Sequence, residues 1–355
     1  MSGTMKAVVF KGPKEVQLED RPLPTIEEPT DIVCKVRYTA LCGSELHVFR
    51  GHQKSPTGFI MGHEFTGEVH EVGSAIKNFK KGDKVVSPFT LSCGECFYCK
   101  HGFSSRCSKG KLYGSAVLDG SQAEYVRVPL ADSTLFLAPD DVPDKLLVLM
   151  ADIFPTGFFG ARNAFKDFSE AEAKEATVVV LGCGPVGLCA LVNALDYKPK
   201  NLFAVDSVPS RLELAKQLGA TDALNFQTDK EGMTKRILDA SDGRGADIVI
   251  EVVGLSPALR MAFDMIRPWG VISSIGVHNA EIPWTAQEAY GKNLRVQQGR
   301  CPVRSVFPEA LEKLREKHTK LDFMSDKIMP LSQAVEGYEI FDSMKAQKVV
   351  FEADK

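Results

Sequence analysis

Basic residues are not in excess in this sequence: 43 Lys and Arg stand against 46 Asp and Glu, a formal net charge of −3. Gripping nucleic acid or an anionic membrane by bulk electrostatics takes a basic surplus, so neither is expected as a partner. No secretory leader is expected either, because residues 1–14 hold no apolar core between a basic start and a small-residue cleavage site. Ser2 rather than glycine follows Met1, which removes the myristoylation pattern. A cytoplasmic protein is therefore expected. There is no internal repeat and no low-complexity tract. One uncharged stretch, 176–195, is long enough to span a bilayer, but Gly182, Gly184, Pro185 and Gly187 interrupt it. A strand, a tight turn and a buried helix explain it better.

What is there is the composition of an ordinary globular protein, 44% hydrophobic and 25% charged over 355 residues. At about 150 residues per domain this suggests two domains. The first 150 residues carry short apolar runs between Gly and Pro, such as 6–10, 32–36 and 83–86, which predict a compact, barrel-like β unit. Near Ala151 the rhythm changes. A helix is predicted over 156–168. Strands at 178–181, 202–205, 248–253 and 271–275 then alternate with helices at 185–195, 211–218, 234–240 and 257–266. Such alternation builds a parallel sheet covered by helices. Beyond Val296 the pattern turns irregular and then helical, and it ends on the apolar run 348–351. That run can return to the first domain, which places the βα unit as an insertion.

Gly182-Cys183-Gly184-Pro185-Val186-Gly187 is G-x-G-x-x-G after a strand and at the head of a helix. In that context it is a dinucleotide fingerprint. The first glycine permits a tight turn, the second lets a pyrophosphate approach the backbone, and the third lets helix and strand pack closely. Asp206 lies 19 residues after Gly187, at the end of the next strand. A carboxylate there accepts from the ribose hydroxyls and repels a 2′-phosphate, so NAD(H) is expected over NADP(H), with Arg211 the residue able to swing toward a phosphate.

Four of the nine cysteines, Cys93, Cys96, Cys99 and Cys107, fall within fifteen residues. Without a secretory context this spacing reads as metal binding rather than disulfides. Four thiolates close a tetrahedral zinc site and leave no place for water, so the site is expected to be structural. An iron–sulfur cluster uses other spacings, and a nucleic-acid zinc module needs the basic surface that is missing. Cys34, Cys183, Cys189 and Cys301 read as small buried residues, and Trp269 and Trp284 as packing residues. Met261 and Met265 read as a core stripe.

Cys42-Gly43-Ser44-Glu45-Leu46-His47 and Gly62-His63-Glu64 supply a thiol and an imidazole, both good zinc ligands. Together with the four-cysteine lobe, the glycine turn and the strand near 271–277, they resemble the zinc-dependent medium-chain dehydrogenase/reductase family of alcohol dehydrogenase type. The runs 87–90 and 151–157 look like its glutathione-independent formaldehyde dehydrogenase branch. The resemblance implies an α/β fold: a doubly wound parallel Rossmann sheet inserted in a β-rich GroES-like barrel domain. Residues 1–152 would form the catalytic domain, with a structural-zinc lobe at about 91–111. Residues 153–297 would form the dinucleotide domain, and 298–355 the return.

It also implies two zinc ions per chain. Cys42 and His63 would hold the catalytic ion with a third ligand four residues before Thr156-Gly157, which is Asp152. Glu64 is a rival, since the equivalent residue binds zinc in polyol dehydrogenases of the family. One thiolate and one carboxylate neutralise Zn²⁺, and a second carboxylate makes the site anionic, which favours Asp152 over Glu64. Zinc would lower the pKa of an alcohol, with Ser44 taking the released proton and His47 passing it to solvent. Thr156, Ile275, Val277 and the end of the preceding strand at Val253 would pack on the nicotinamide, and Arg304 would lie near the cofactor. Gly43 stands where relatives carry a basic pyrophosphate contact.

The expected activity is interconversion of a primary or secondary alcohol with its aldehyde or ketone, in a homo-oligomer (dimer or tetramer). A formaldehyde or other aldehyde dehydrogenase and a polyol dehydrogenase are the nearest alternatives. A zinc-free nucleotide-binding or structural protein on the same fold is the alternative of another class.

Overall fold

The computed structural model describes residues 3–278 and 280–353. The leader and acylation readings at Met1 and Ser2, and the outer ends of the expected domains, lie outside them. The chain forms two compact units, Met1–Pro155 with Pro302–Lys355, and Thr156–Cys301. Residues 153–155 thus fall in the first unit and 298–301 in the second.

The first unit opens on the antiparallel pair β1 (Thr4–Gly12) and β2 (Glu15–Pro22). It continues with β3 (Ile32–Ala40), helix α1 (Gly43–Phe49), β4 (Glu64–Val72), β5 (Lys84–Ser87), β6 (Tyr125–Val128) and β7 (Phe136–Leu137). β3 pairs antiparallel with β4 and β6, β4 with β5, and β5 with β7. Ile32, Cys34, Val36, Phe65, Val69 and Val85 meet in one apolar core around Tyr113. β3 ends at Ala40 and β4 begins at Glu64, paired to each other. The residues that follow the one strand and precede the other are therefore brought together at one end of the sheet.

After helix α2 (Ile153–Phe165), the second unit is a six-stranded parallel sheet. It contains β8 (Thr177–Leu181), β9 (Asn201–Asp206), β10 (Asp222–Asn225), β11 (Ala246–Glu251), β12 (Ile266–Ser274) and β13 (Arg295–Gln298), in the order β10-β9-β8-β11-β12-β13. Later strands are added to both sides of β8, the arrangement of a doubly wound sheet. Every residue of β8 and β11 is buried, because helices cover both faces of such a sheet. The helices are α3 (Pro185–Ala194), α4 (Pro209–Leu218), α5 (Lys230–Ala240) and α6 (Ser256–Met265). Proline at the first turn starts α3, α4 and α6, and Gly219 with φ +115° stops α4.

Several expectations change. β10 and β13 are additional strands at the two edges, where short polar strands carry no periodic apolar signal. β11 ends at Glu251, so Val252 and Val253 lie beyond it. The helix expected over 156–168 begins three residues earlier. Trp269 is not a packing residue: it is exposed, with a left-handed φ of 62°. Trp284 does stack on Phe263, and the four non-clustered cysteines are buried. The stretch 176–195 contains β8 and α3, and no helix among the described residues is long and apolar enough to cross a membrane.

The chain then re-enters the first unit through helix α7 (Val303–Lys317), β14 (Ile328–Pro330) and β15 (Val350–Glu352). β15 pairs antiparallel with β3, Phe351 opposite Thr39. Phe351 is fully buried, and its ring lies 2.5 Å from where a Cβ on Gly337 would stand, so that β15 and the helix Ala334–Asp342 touch without a gap. Emptying such a site costs about 3–5 kcal/mol for Phe→Ala. Phe351→Ala should therefore lower the urea midpoint of unfolding by a corresponding amount; an unchanged midpoint would remove β15 from the core.

Candidate metal and dinucleotide sites

At that end of the first sheet, Cys42 forms the N-cap of α1, His63 immediately precedes β4 and Glu64 opens it, and Asp152 lies just before α2. One ligand atom from each of Cys42, His63, Glu64 and Asp152 falls within 4.8 Å of all the others. Asp152 Oδ2 is 3.5 Å from Cys42 Sγ and 3.2 Å from His63 Nε2. Ser44 Oγ lies 3.5 Å from the same Nε2. Imidazole Nδ1 faces Glu45 Oε1 at 3.6 Å, so Nε2 is the nitrogen turned toward the other donors. Burial raises the Cys42 thiol, and Asp152 and Glu64 raise it further. Burial pushes the Glu64 carboxyl up to about 7 against the pull of Lys348. His63 is held well above its ordinary value, chiefly by Glu45, although burial alone would lower it. Each shift records negative charge crowded together out of water, which a cation would relieve.

In the four-cysteine lobe, Cys93 Sγ and Cys99 Sγ are 3.9 Å apart. A disulfide needs about 2.05 Å, whereas ligands 2.3 Å from a tetrahedral zinc sit about 3.8 Å from one another. Backbone amides enter the same cage: Cys93 N–H donates to Cys107 Sγ at 3.2 Å and Cys96 N–H to Cys93 Sγ at 3.4 Å. Hydrogen bonds from the backbone amides of Ser108 and Cys99 pull the Cys96 thiol down to about 5. Phe97, Tyr98 and Phe103 of the lobe point outward, so the lobe has no apolar core of its own.

In the second unit the glycine turn joins β8 to α3. Gly182 has φ +97°, a backbone that side chains resist. A Cβ on Gly187 would lie 1.8 Å from Gly182 O, which only glycine avoids. A Cβ on Gly184 would meet nothing nearer than Arg211 Nη1 at 3.9 Å, leaving that backbone open. Pro185 and Val186 open α3 behind it. Asp206 closes β9, and its carboxylate accepts from the amides of Cys183 at 2.7 Å, Ser207 at 2.7 Å and Val208 at 2.9 Å, with Arg211 Nη1 at 3.9 Å.

Comparison with known proteins agrees with this geometry. The family model "Alcohol dehydrogenase GroES-like domain" matches residues 28–140, and "Zinc-binding dehydrogenase" matches residues 185–316. Zinc-type alcohol dehydrogenase B of Aspergillus flavus is 65% identical over 98% of this chain and 81% of its own length. The glutathione-independent formaldehyde dehydrogenase of Pseudomonas aeruginosa is 29% identical over 99% of this chain and 98% of its own. An alcohol dehydrogenase of a Thermus species superposes with TM-score 0.90 at 32% identity, covering 99% of this chain and 100% of its own. The chain belongs to the zinc-dependent medium-chain dehydrogenases/reductases. Its β-rich unit with the inserted parallel sheet is the fold of that family.

Membership implies zinc, and the residues fit it. Bond lengths of 2.0–2.3 Å put tetrahedral ligand atoms about 3.3–3.8 Å apart, close to the separations around Asp152 Oδ2. The donor set of thiolate, imidazole and carboxylate suits the ion, and buried Glu64 Oε1 has no hydrogen-bond partner.

Three carboxylate-centred features had gone unread in the sequence. Glu45, third residue of α1, accepts from Cys42 N–H at 2.9 Å and from Gln122 Nε2 at 3.3 Å while facing His63, so it positions Cys42 and His63 together. Lys348, from the last apolar run, is ion-paired to Glu64, with both side chains at 0% exposure. A single lysine heading that run was its only signal. Glu251 accepts from the amides of Val253 and Gly254 and from Ser274 Oγ, and so shapes the turn after β11.

Of the other expected contacts, Thr156 and Ile275 are buried in the second unit, while Val253 and Val277 are exposed there. Arg304 belongs to the first unit: its guanidinium donates to Ser133 O at 2.6 Å and lies 4.0 Å from the Phe136 ring centroid.

Cys99→Ser should remove one metal equivalent of two and lower the melting temperature, read by elemental analysis and thermal unfolding. Full retention of both equivalents would show that the cluster does not hold a metal.

Proposed function

We propose that this dehydrogenase is a zinc-dependent, NAD(H)-linked alcohol dehydrogenase that interconverts primary or secondary alcohols with aldehydes or ketones. The observation that carries the reading is the Cys42, His63, Glu64 and Asp152 quartet with Ser44 beside it. Cys42, His63 and Asp152 are the proposed zinc ligands. A dication held there supplies Lewis acidity that lowers the pKa of an alcohol, and the dinucleotide supplies the hydride acceptor.

The chain's own residues handle the proton. Ser44 Oγ can accept it from the substrate hydroxyl while remaining within reach of His63 Nε2. His47, three residues on and half-buried, comes next, and its ring lies 6.1 Å from that of His52. Burial lowers the His47 pKa, and nearby His52 and Arg50 lower it further. The imidazole is then neutral near pH 7 and free to take up a proton. Glu45 keeps His63 oriented throughout.

The glycine turn at Gly182, Gly184 and Gly187 is the proposed pyrophosphate cradle, with Asp206 the residue that favours NAD(H). Exposed Val253 and Val277 offer apolar surface to a nicotinamide, and buried Thr156 and Ile275 are proposed to pack beside it. A homo-oligomer, dimer or tetramer, is proposed from the family and is read by light scattering.

The test is turnover of purified protein on alcohols, aldehydes, ketones and polyols with NAD(H) and NADP(H), with and without a zinc chelator. Chelator-sensitive turnover of simple alcohols with NAD(H) is expected, and preference for polyols or for formaldehyde would replace the substrate class. Asp206→Gly should shift the NADH/NADPH ratio of kcat/KM toward NADPH by about tenfold, one good polar contact's worth. A ratio that does not move would remove Asp206 from cofactor selection.

A further inference from the structure

The charge balance at the metal quartet changes once Lys348 is counted. Counting only zinc ligands, a second carboxylate makes the site anionic and argues against Glu64. Lys348 adds one fixed positive charge, fully buried and in direct contact with that carboxylate. Strand register puts it there. Val350 of β15 pairs with Ala40 of β3, and Ala40 with Glu64 of β4, so the residue two before Val350 arrives beside Glu64. Leu41 N–H donates to Val349 O at 2.9 Å and locks the approach. Thr39 Oγ1 donates to Glu64 O at 2.8 Å and fixes the backbone on the other side.

Glu64 thus has one oxygen engaged and one free. Lys348 Nζ holds Oε2, while Oε1 is buried with no hydrogen-bond partner. The same carboxylate lies within ligand distance of Cys42, His63 and Asp152. Two cations therefore contend for it, the ammonium and the metal. A buried carboxylate stripped of its cation does not stay unpaired, since an uncompensated buried charge is strongly destabilising. With Lys348 removed, the metal is the remaining positive charge within reach.

We infer that Lys348 is a positioning residue of the metal centre, restraining Glu64 so that it does not become a permanent fourth ligand and the fourth position stays open to substrate. The inference rests on the proposed metal at Cys42, His63 and Asp152. It makes Glu64 a carboxylate shared between two cations, with Lys348 setting the share.

The test uses full-length protein with Co²⁺ exchanged into the catalytic site. Lys348→Met, Glu64→Gln and the double variant are compared with the parent by visible d–d spectrum and by rate of metal loss to a chelator. Lys348→Met should change the spectrum and slow metal loss by about tenfold, the lower end of what partners of metal ligands usually contribute. Adding Glu64→Gln to Lys348→Met should abolish both changes, because neither a carboxylate free to bind the metal nor a stranded ammonium then remains. A Lys348→Met protein with the parent's spectrum and rate overturns the inference, and so does a change that persists in the double variant.

If Lys348→Met does not accumulate as folded protein, Glu64→Gln decides. It strands an ammonium beside the dication, so metal loss should speed up by about tenfold, and an unchanged rate overturns the inference. A parent that binds no metal outside the four-cysteine lobe defeats the zinc reading itself. A loaded parent with unresponsive variants defeats only the role of Lys348.

Discussion

Negative charge that cannot reach water is the constraint around which the first unit is built. Cys42, Glu45, Glu64 and Asp152 converge on His63, and three of these five side chains, Cys42, Glu45 and Glu64, have acidic groups pushed toward their neutral forms by burial. Such a cluster is unfavourable unless positive charge enters it. The fold supplies one unit permanently, through Lys348, and the ligand geometry provides for more. The connection after β3, the start of β4, the segment before α2 and the C-terminal strand all contribute to this one place. A chain segment 306 residues downstream of Cys42 is thereby tied to the chemistry at the head of α1.

The two candidate metal sites differ in a way their donors explain. Four thiols with converging backbone amides make a closed cage, and the lobe around it exposes Phe97, Tyr98 and Phe103 instead of burying them. A metal held there would take the place of an apolar core. In the other site the donors are a thiol, an imidazole and two carboxylates, one of which has a second cation to bind. A ligand with an alternative partner can leave. That difference separates a site suited to holding a lobe together from one suited to exchanging a substrate.

The parts that were legible in the sequence are those whose chemistry is local. The glycine turn, the four cysteines and the C-G-S-x-x-H run carry their meaning in spacing, and buried β8 and β11 show as continuous apolar runs. The edge strands β10 and β13 escaped because a polar strand at a sheet edge needs no apolar pattern. Glu45, Lys348 and Glu251 escaped for a different reason. Each is an ordinary charged residue in sequence, and its role exists only after strand pairing places it against a partner. For Lys348 that partner is 284 positions away. The charge count that ranks Asp152 above Glu64 includes only the candidate metal ligands, and Lys348, which strand register alone brings there, lies outside it.

Asp206 shows how a fixed carboxylate differs from a merely nearby one. Three backbone amides, those of Cys183, Ser207 and Val208, hold its two oxygens at 2.7–2.9 Å. The Cys183 amide belongs to the glycine turn itself, so the orientation of the carboxylate and the shape of the turn are set together. Held this way, Asp206 cannot rotate aside to admit a second anion. Arg211, the residue that could welcome a phosphate, lies 3.9 Å from the same carboxylate, which already balances part of its charge. To serve a 2′-phosphate, Arg211 would have to leave Asp206 while Asp206 stayed in place. The phosphate would then face a carboxylate that three amides keep from moving, and that is the electrostatic argument on which the proposed NAD(H) preference rests.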